Sequence, residues 1–310
     1  MLFAVDGSLG RVLLNRPRAI NSLTRDMVVA VRAQLEAWAD DLAVRVVSLE
    51  GAGDRGLCAG GDVRAVREAH LAGTSGGVDF WADEYILDAQ IAEYPKPVIA
   101  LMDGIVMGGG LGISMFARAR WTTERSQIAM PETIIGFFPD VAATYLLSRA
   151  PGETGTHVAL TGTTFGGADA LHLGLADAVV DHADLPQLIK AVAAGGPVDP
   201  VPADATTGED APLVAAREWI DECYAGDDPA AIVRRLRDHD HADARAAAEA
   251  ISLRSPLSVA VTLEAMRRAR HAGSVREVLE TDTLIARGLL QRKDFTEGVR
   301  AQLVDKDRQP

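Results

Sequence analysis

Cysteine is almost missing from this chain: only Cys58 and Cys223 occur in 310 residues. Two cysteines make no disulfide framework, and no Cys/His spacing suits a zinc site. Long apolar runs are missing too. No stretch approaches the ~18–20 uncharged apolar residues that a membrane-spanning helix needs, so no membrane partner is expected. The first residues, Met1-Leu2-Phe3-Ala4-Val5-Asp6, reach an acid early and lack a basic start. That excludes a signal peptide on these residues and gives the expectation of a cytoplasmic protein. Positive charge is in short supply, with 31 Lys and Arg against 44 Asp and Glu, a formal net charge of −13. This argues against nucleic acid or an anionic membrane as the main partner, and it requires local cations around any anionic ligand. No internal repeat of fixed period is present.

What remains is ordinary for a globular protein, with 48% hydrophobic and 24% charged residues. Gly10–Asn15 reads as a strand stopped by Pro17, because proline donates nothing to a ladder. Thr24 caps a helix whose apolar stripe is Met27, Val31, Leu35 and Trp38. Val44–Leu49 reads as a buried strand, Asp79–Ala92 as a helix, and Pro97–Met102 as a second buried strand. Ala119–Thr123 and Ala178–Val180 are further strand candidates, and a helix is expected from Val141 to Leu147. Alternating strands and helices give an α/β class. Residues 191–212, rich in Ala, Gly, Pro, Asp and Thr, read as a linker or mobile loop. Leu213–Tyr224, Pro229–Arg237, Asp243–Leu253, Ser258–Ala272 and Ser274–Gln291 then carry helical patterns. The expected organisation is a core over 1–190, the linker, and a helical region over 213–310.

Two glycine-rich turns each follow a strand. The first is Gly51–Arg64; the second contains Gly108-Gly109-Gly110, expected to precede a helix from Leu111 to Phe116. Glycine costs backbone entropy, so three in a row need a reason. One reason is close approach of a ligand to unpaired N–H groups at a helix start, which favour a developing oxyanion. The other is a flexible turn or tight packing. Further on, Glu132 sits among Met130, Ile134, Ile135, Phe137 and Phe138, and Asp140 closes the run. An acid in apolar surroundings is suited to proton transfer, whereas a loop with both acids in water is the alternative. Arg16, Arg18, Arg64 and Lys96 are either plain surface charge or contacts for the phosphates of a ligand. Cys58 reads as a small packing hydrophobe, and His239-Asp240-His241 as a solvated surface.

Together, Leu14–Leu23, Leu57-Cys58-Ala59-Gly60-Gly61-Asp62 and Gly104–Gly112 resemble the crotonase (enoyl-CoA hydratase/isomerase) superfamily. Met130–Val141 and Asp294–Ala301 further resemble its 3-hydroxyisobutyryl-CoA hydrolase group. The resemblance implies a crotonase-like ββα spiral core with a helical C-terminal region, often assembled as trimers or hexamers. It implies an oxyanion hole from the Gly61 and Gly109 N–H groups. Ala59, Gly60, Asp62, Gly108 and Arg16 would be substrate- or CoA-binding residues. Glu132 and Asp140 would be catalytic, with no cofactor besides the coenzyme A of the substrate. The second glutamate of the hydratases falls at Gly112, which favours thioester hydrolysis over hydration. The implied substrate is a short hydroxyacyl-CoA such as 3-hydroxyisobutyryl-CoA, from valine breakdown. An enoyl-CoA hydratase or isomerase, and a non-catalytic acyl-CoA-binding protein, are the competing readings. Ala142-Ala143-Thr144 stands where the hydrolases usually carry glycines, which bears on the shape of the acyl pocket.

Overall fold

A computed structural model describes residues 1–199 and 208–310. Residues 200–207, within the stretch read as a linker, lie outside the described residues. The chain divides into two compact units. One comprises Met1–Asp62, Ala82–Ile128 and Phe165–Asp210; the other comprises Val63–Trp81, Ala129–Thr164 and Ala211–Pro310.

The first unit is built on a six-stranded sheet. Its spatial order is Leu2–Asp6, Leu9–Leu14, Val46–Gly51, Val98–Met102, Ala119–Thr123 and Ala178–Val180. The first two strands form an antiparallel hairpin with Leu2 opposite Leu13, and every later neighbour is parallel. Parallel neighbours require crossovers that cover the sheet faces, and Val46 to Glu50 is accordingly buried on both sides. Leu9, Val46, Ile99 and Trp121 pack with Leu185, Ile189 and Val192 from the helix Leu185–Ala193. The helix Arg25–Ala39 begins as its sequence predicts: Thr24 Oγ1 accepts the Met27 N–H at 3.3 Å, and Met27, Val31, Leu35 and Trp38 are buried.

The second unit is helical. Its C-terminal part runs Pro212–Cys223, Pro229–Asp238, Ala242–Ser252, Pro256–Ala269, Val275–Leu290 and Lys293–Val299. Ser255 and Ser274 cap two of these helices through the Ser258 and Glu277 N–H groups. Glu277 reaches back to the Gly273 N–H at 2.8 Å, one residue before the usual capping-box partner. This mixed sheet with surrounding helices and a helical C-terminal extension is the spiral-core architecture that the resemblance implies. Among the described residues no helix is long and apolar enough to cross a membrane.

Three elements differ from the sequence reading. The glycine run does not precede its helix but opens it, since the helix spans Gly109–Met115 with Gly108 as its cap at φ +50°. The helix expected from Val141 begins at Ala143, because Val141 and Ala142 are left-handed at φ +52° and +57°. A helix over Thr154–Thr161 was not anticipated. It is buried on every side, so it carries no amphipathic period to read.

Candidate active site

In the first unit the two glycine turns meet. The strand-like run 56–58 lies against 103–107, with Cys58 N–H donating to the Ile105 carbonyl and Met107 N–H to the Cys58 carbonyl. A Cβ on Gly109 would lie 3.4 Å from the Gly61 nitrogen, and one on Gly60 would lie 3.6 Å from the Gly109 nitrogen. The two turns are therefore close neighbours at the backbone. Among the described residues neither the Gly61 nor the Gly109 N–H donates to a backbone carbonyl. For Gly109 this follows from its place in the first helical turn. Gly110 has its own reason to be glycine, since a Cβ there would sit 2.4 Å from the Cys58 carbonyl oxygen.

The motif around Asn21 braces the first turn. Ile20 and Asn21 are both left-handed. The buried Asn21 amide donates to the Ala52 and Gly56 carbonyls at 3.0 and 3.1 Å. Ala59 N–H bonds the Ile20 carbonyl, Leu23 N–H the Gly60 carbonyl, and Asp62 N–H the Leu23 carbonyl. Arg16 pairs with Asp62 at 3.2 Å and donates to the Ser22 carbonyl at 2.7 Å. Arg16, Ala59, Gly60, Gly61 and Asp62 thus form one connected segment, with Gly108 and Gly109 alongside it.

Glu84 was missed by the sequence reading. It is 2% exposed, and its Oε1 lies 2.1 Å from where a Gly109 Cβ would stand. A glutamate inside a helical pattern carries no mark of this, because only the tertiary fold reveals what its carboxylate faces. Arg18 and Arg64 are exposed, whereas Lys96 is spent on the end of a helix, donating to the Trp38 and Asp41 carbonyls. Cys58 is fully buried, and burial pushes its thiol up to about 12, so it is neutral packing rather than a nucleophile. His241 caps the helix Ala242–Ser252 by accepting the Asp243 N–H, and His239 accepts the His241 N–H.

In the second unit Glu132 opens a short 3-10 turn, Glu132–Ile135, closed by Gly136 at φ +71°. Phe137 N–H returns to the Glu132 carbonyl at 3.0 Å. Glu132 and Asp140 are 8% and 4% exposed, so the alternative of two acids in open water does not hold. The tail helix Lys293–Val299 clamps this turn. A Cβ on Gly136 would lie 2.3 Å from the Asp294 backbone, and one on Gly298 would lie 2.5 Å from the Ile135 carbonyl carbon. Trp81 stacks on Phe137 with centroids 4.6 Å apart, and Phe295 meets both at 5.6 Å. The paired motifs 130–141 and 294–301 are thus one structural device.

The sequence profile of the enoyl-CoA hydratase/isomerase family matches residues 9–310. The 3-hydroxyisobutyryl-CoA hydrolase of Xenopus tropicalis is 35% identical, over 97% of this chain and 81% of that protein. That of Danio rerio is 36% identical, over 100% and 84%. Among solved structures, a carnitinyl-CoA dehydratase from Mycobacterium thermoresistibile is 48% identical with a TM-score of 0.94, covering 98% of this chain and 89% of that one. An enoyl-CoA hydratase from Rhodobacter sphaeroides is 39% identical with a TM-score of 0.93, covering 100% and 90%. These curated hydrolases are named as mitochondrial, which overturns the cytoplasmic expectation. An early acid speaks only to a signal peptide on those residues, not to the compartment. With its profile match and full-length relatives, the chain belongs to the crotonase (enoyl-CoA hydratase/isomerase) superfamily and is an enzyme of that superfamily acting on an acyl-CoA substrate.

Proposed function

We propose that this enzyme hydrolyses a short-chain hydroxyacyl-CoA thioester, with 3-hydroxyisobutyryl-CoA as the first candidate substrate. The reading is carried by one observation: Glu132 and Asp140 are both buried along one clamped segment, while position 112, a glycine, offers no acid. The thioester carbonyl oxygen accepts from the Gly61 and Gly109 N–H groups, which stabilise the negative charge that develops there. Two routes use Glu132. As nucleophile, its carboxylate oxygen bonds the carbonyl carbon and the C–S bond breaks, giving an anhydride that water then cleaves. As base, it takes a proton from water while the water oxygen makes the bond. In both, the CoA sulfur leaves as thiolate and is protonated, and Asp140 orients the substrate hydroxyl or the attacking water, or helps the thiolate leave. Gly60, Ala59, Asp62, Gly108 and Arg16 border the acyl-CoA.

A second reading, hydration or dehydration at the acyl chain, is favoured by the names of the two solved relatives above. Glu84 supports it as well, because its carboxylate beside Gly109 supplies an acid that position 112 lacks. One pair of assays separates the two. Free-thiol release from a panel of short acyl-CoAs, with no hydration of crotonyl-CoA, supports hydrolysis; loss of enoyl absorbance without thiol release supports hydration. In the hydrolase, Glu132→Gln abolishes turnover while CoA binding by calorimetry persists, and wild-type turnover would refute the role of Glu132. A trimer or paired trimer is the assembly proposed, to be read by light scattering.

A further inference from the structure

Asp282 lies on the helix Val275–Leu290 and is 1% exposed. Its Oδ2 accepts the Ala142 N–H at 2.8 Å, and its buried Oδ1 has no hydrogen-bond partner among the described residues. A buried acid with half of its capacity unused is a costly choice for a core position, so the bond it does make calls for an explanation. That bond lands on an unusual piece of chain. Asp140 carbonyl accepts the Ala143 N–H at 2.8 Å, and both residues between them are left-handed, Val141 at φ +52° and Ala142 at φ +57°. Such a turn is normally made by Gly, Asn or Asp, and a β-branched residue in it is strained. The turn starts at Asp140, so its shape sets the direction in which that side chain leaves the backbone.

We propose that Asp282 is a positioning residue: by holding the Ala142 N–H, it keeps the Val141–Ala142 turn in its left-handed form and so orients Asp140. The proposal rests on the reading of Asp140 as the second acid of the reaction. Where a glycine takes this turn freely, the alanine of this chain needs an external hold, and Asp282 supplies it. Burial, reinforced by the nearby charge of Asp140, pushes the Asp282 carboxyl well above the usual carboxylate range. A neutral carboxyl accepts the N–H without setting a second negative charge beside Asp140.

The test measures kcat and KM separately for thiol release from 3-hydroxyisobutyryl-CoA. Asp282→Ala lowers kcat by about ten- to a hundredfold with little change in KM, as expected when a reacting group is misplaced by a fraction of an ångström. Asp282→Asn, which keeps a neutral acceptor, recovers most of that loss. Ala142→Gly placed in the Asp282→Ala background also recovers part of it, since glycine holds the turn unaided. Asp140→Asn with Asp282→Ala is no slower than Asp140→Asn alone. Equal loss in Asp282→Ala and Asp282→Asn, loss confined to KM, or additive loss in the double variant overturns the proposal. If Asp282→Ala does not fold, the Asn variant and the Ala142→Gly rescue decide alone. A slow Asp140→Asn beside a wild-type Asp282→Ala removes only the positioning role, whereas wild-type turnover in Asp140→Asn removes the reading of Asp140 itself.

Discussion

Gly109 is constrained by the side chain it faces. A methyl group there would lie 2.1 Å from Glu84 Oε1 and 3.4 Å from the Gly61 nitrogen. The first contact is with the tip of a side chain, but that side chain is buried and cannot swing into solvent. The second is with one of the two proposed oxyanion donors. Relief of the Glu84 clash moves the Gly109 backbone, so in Gly109→Ala the donor geometry shifts and kcat falls by ~10²–10³ as when one donor is lost. The same clash costs about 1–3 kcal/mol of stability, to be read by denaturant unfolding. A Gly109→Ala enzyme with normal kcat would mean that these amides are not the donors. At this scale the glycines, Glu132 and Asp140 were legible in the sequence, because consecutive glycines and an acid in an apolar run both break local rules. Glu84 and Asp282 were not, since an acid on a helix breaks no local rule. Glu84 lies beside Gly109, 25 residues on, and Asp282 holds the Ala142 N–H, 140 residues back along the chain.

Elements were readable where one face is buried and opaque where none is exposed. The helix Arg25–Ala39 has a cap, a stripe and a polar side, and each was found where the spacing put it. Thr154–Thr161 has no exposed side, and its Gly155 lies where a Cβ would meet the Leu147 carbonyl oxygen at 1.8 Å. Packing rather than propensity keeps that segment helical, which a sequence window does not display. The clamp on the Glu132 turn makes the same point in testable form. In Gly298→Ala the new methyl meets the Ile135 backbone at 2.5 Å, and backbone on both sides leaves nothing soft to yield. The expected loss is about 1–3 kcal/mol, with a fall in kcat because the displaced turn carries Glu132. Gly288→Ala is the control: it is exposed in the helix Val275–Leu290 with open space around it, and it stabilises by about 0.5–1 kcal/mol. Similar effects at both positions would show that the tail helix does not set the turn.

For the molecule as a whole, His157 is an identifiable contributor to acid stability outside the proposed chemistry. His157 is buried in the second unit, with Nδ1 2.8 Å from the Tyr224 hydroxyl and the Trp219 ring edge-on at 5.3 Å. Burial lowers its pKa to about 4, since the folded protein offers the imidazolium neither water nor an acid partner strong enough to replace it. In the unfolded chain the ring titrates near ~6.5. Between these values the unfolded state binds the extra proton and the folded state does not. Stability is therefore complete above the unfolded value and is lost as the pH falls from there toward 4. The contribution over that window is about 3 kcal/mol. Wild-type unfolding sums every group that binds protons on unfolding, so it alone does not isolate the histidine. Urea unfolding of wild type and His157→Gln at a series of pH values does, because only the difference in slope belongs to residue 157. The variant loses about 3 kcal/mol less than wild type between pH 7 and pH 4. Parallel curves would place His157 in a site that hydrates or opens before it is protonated.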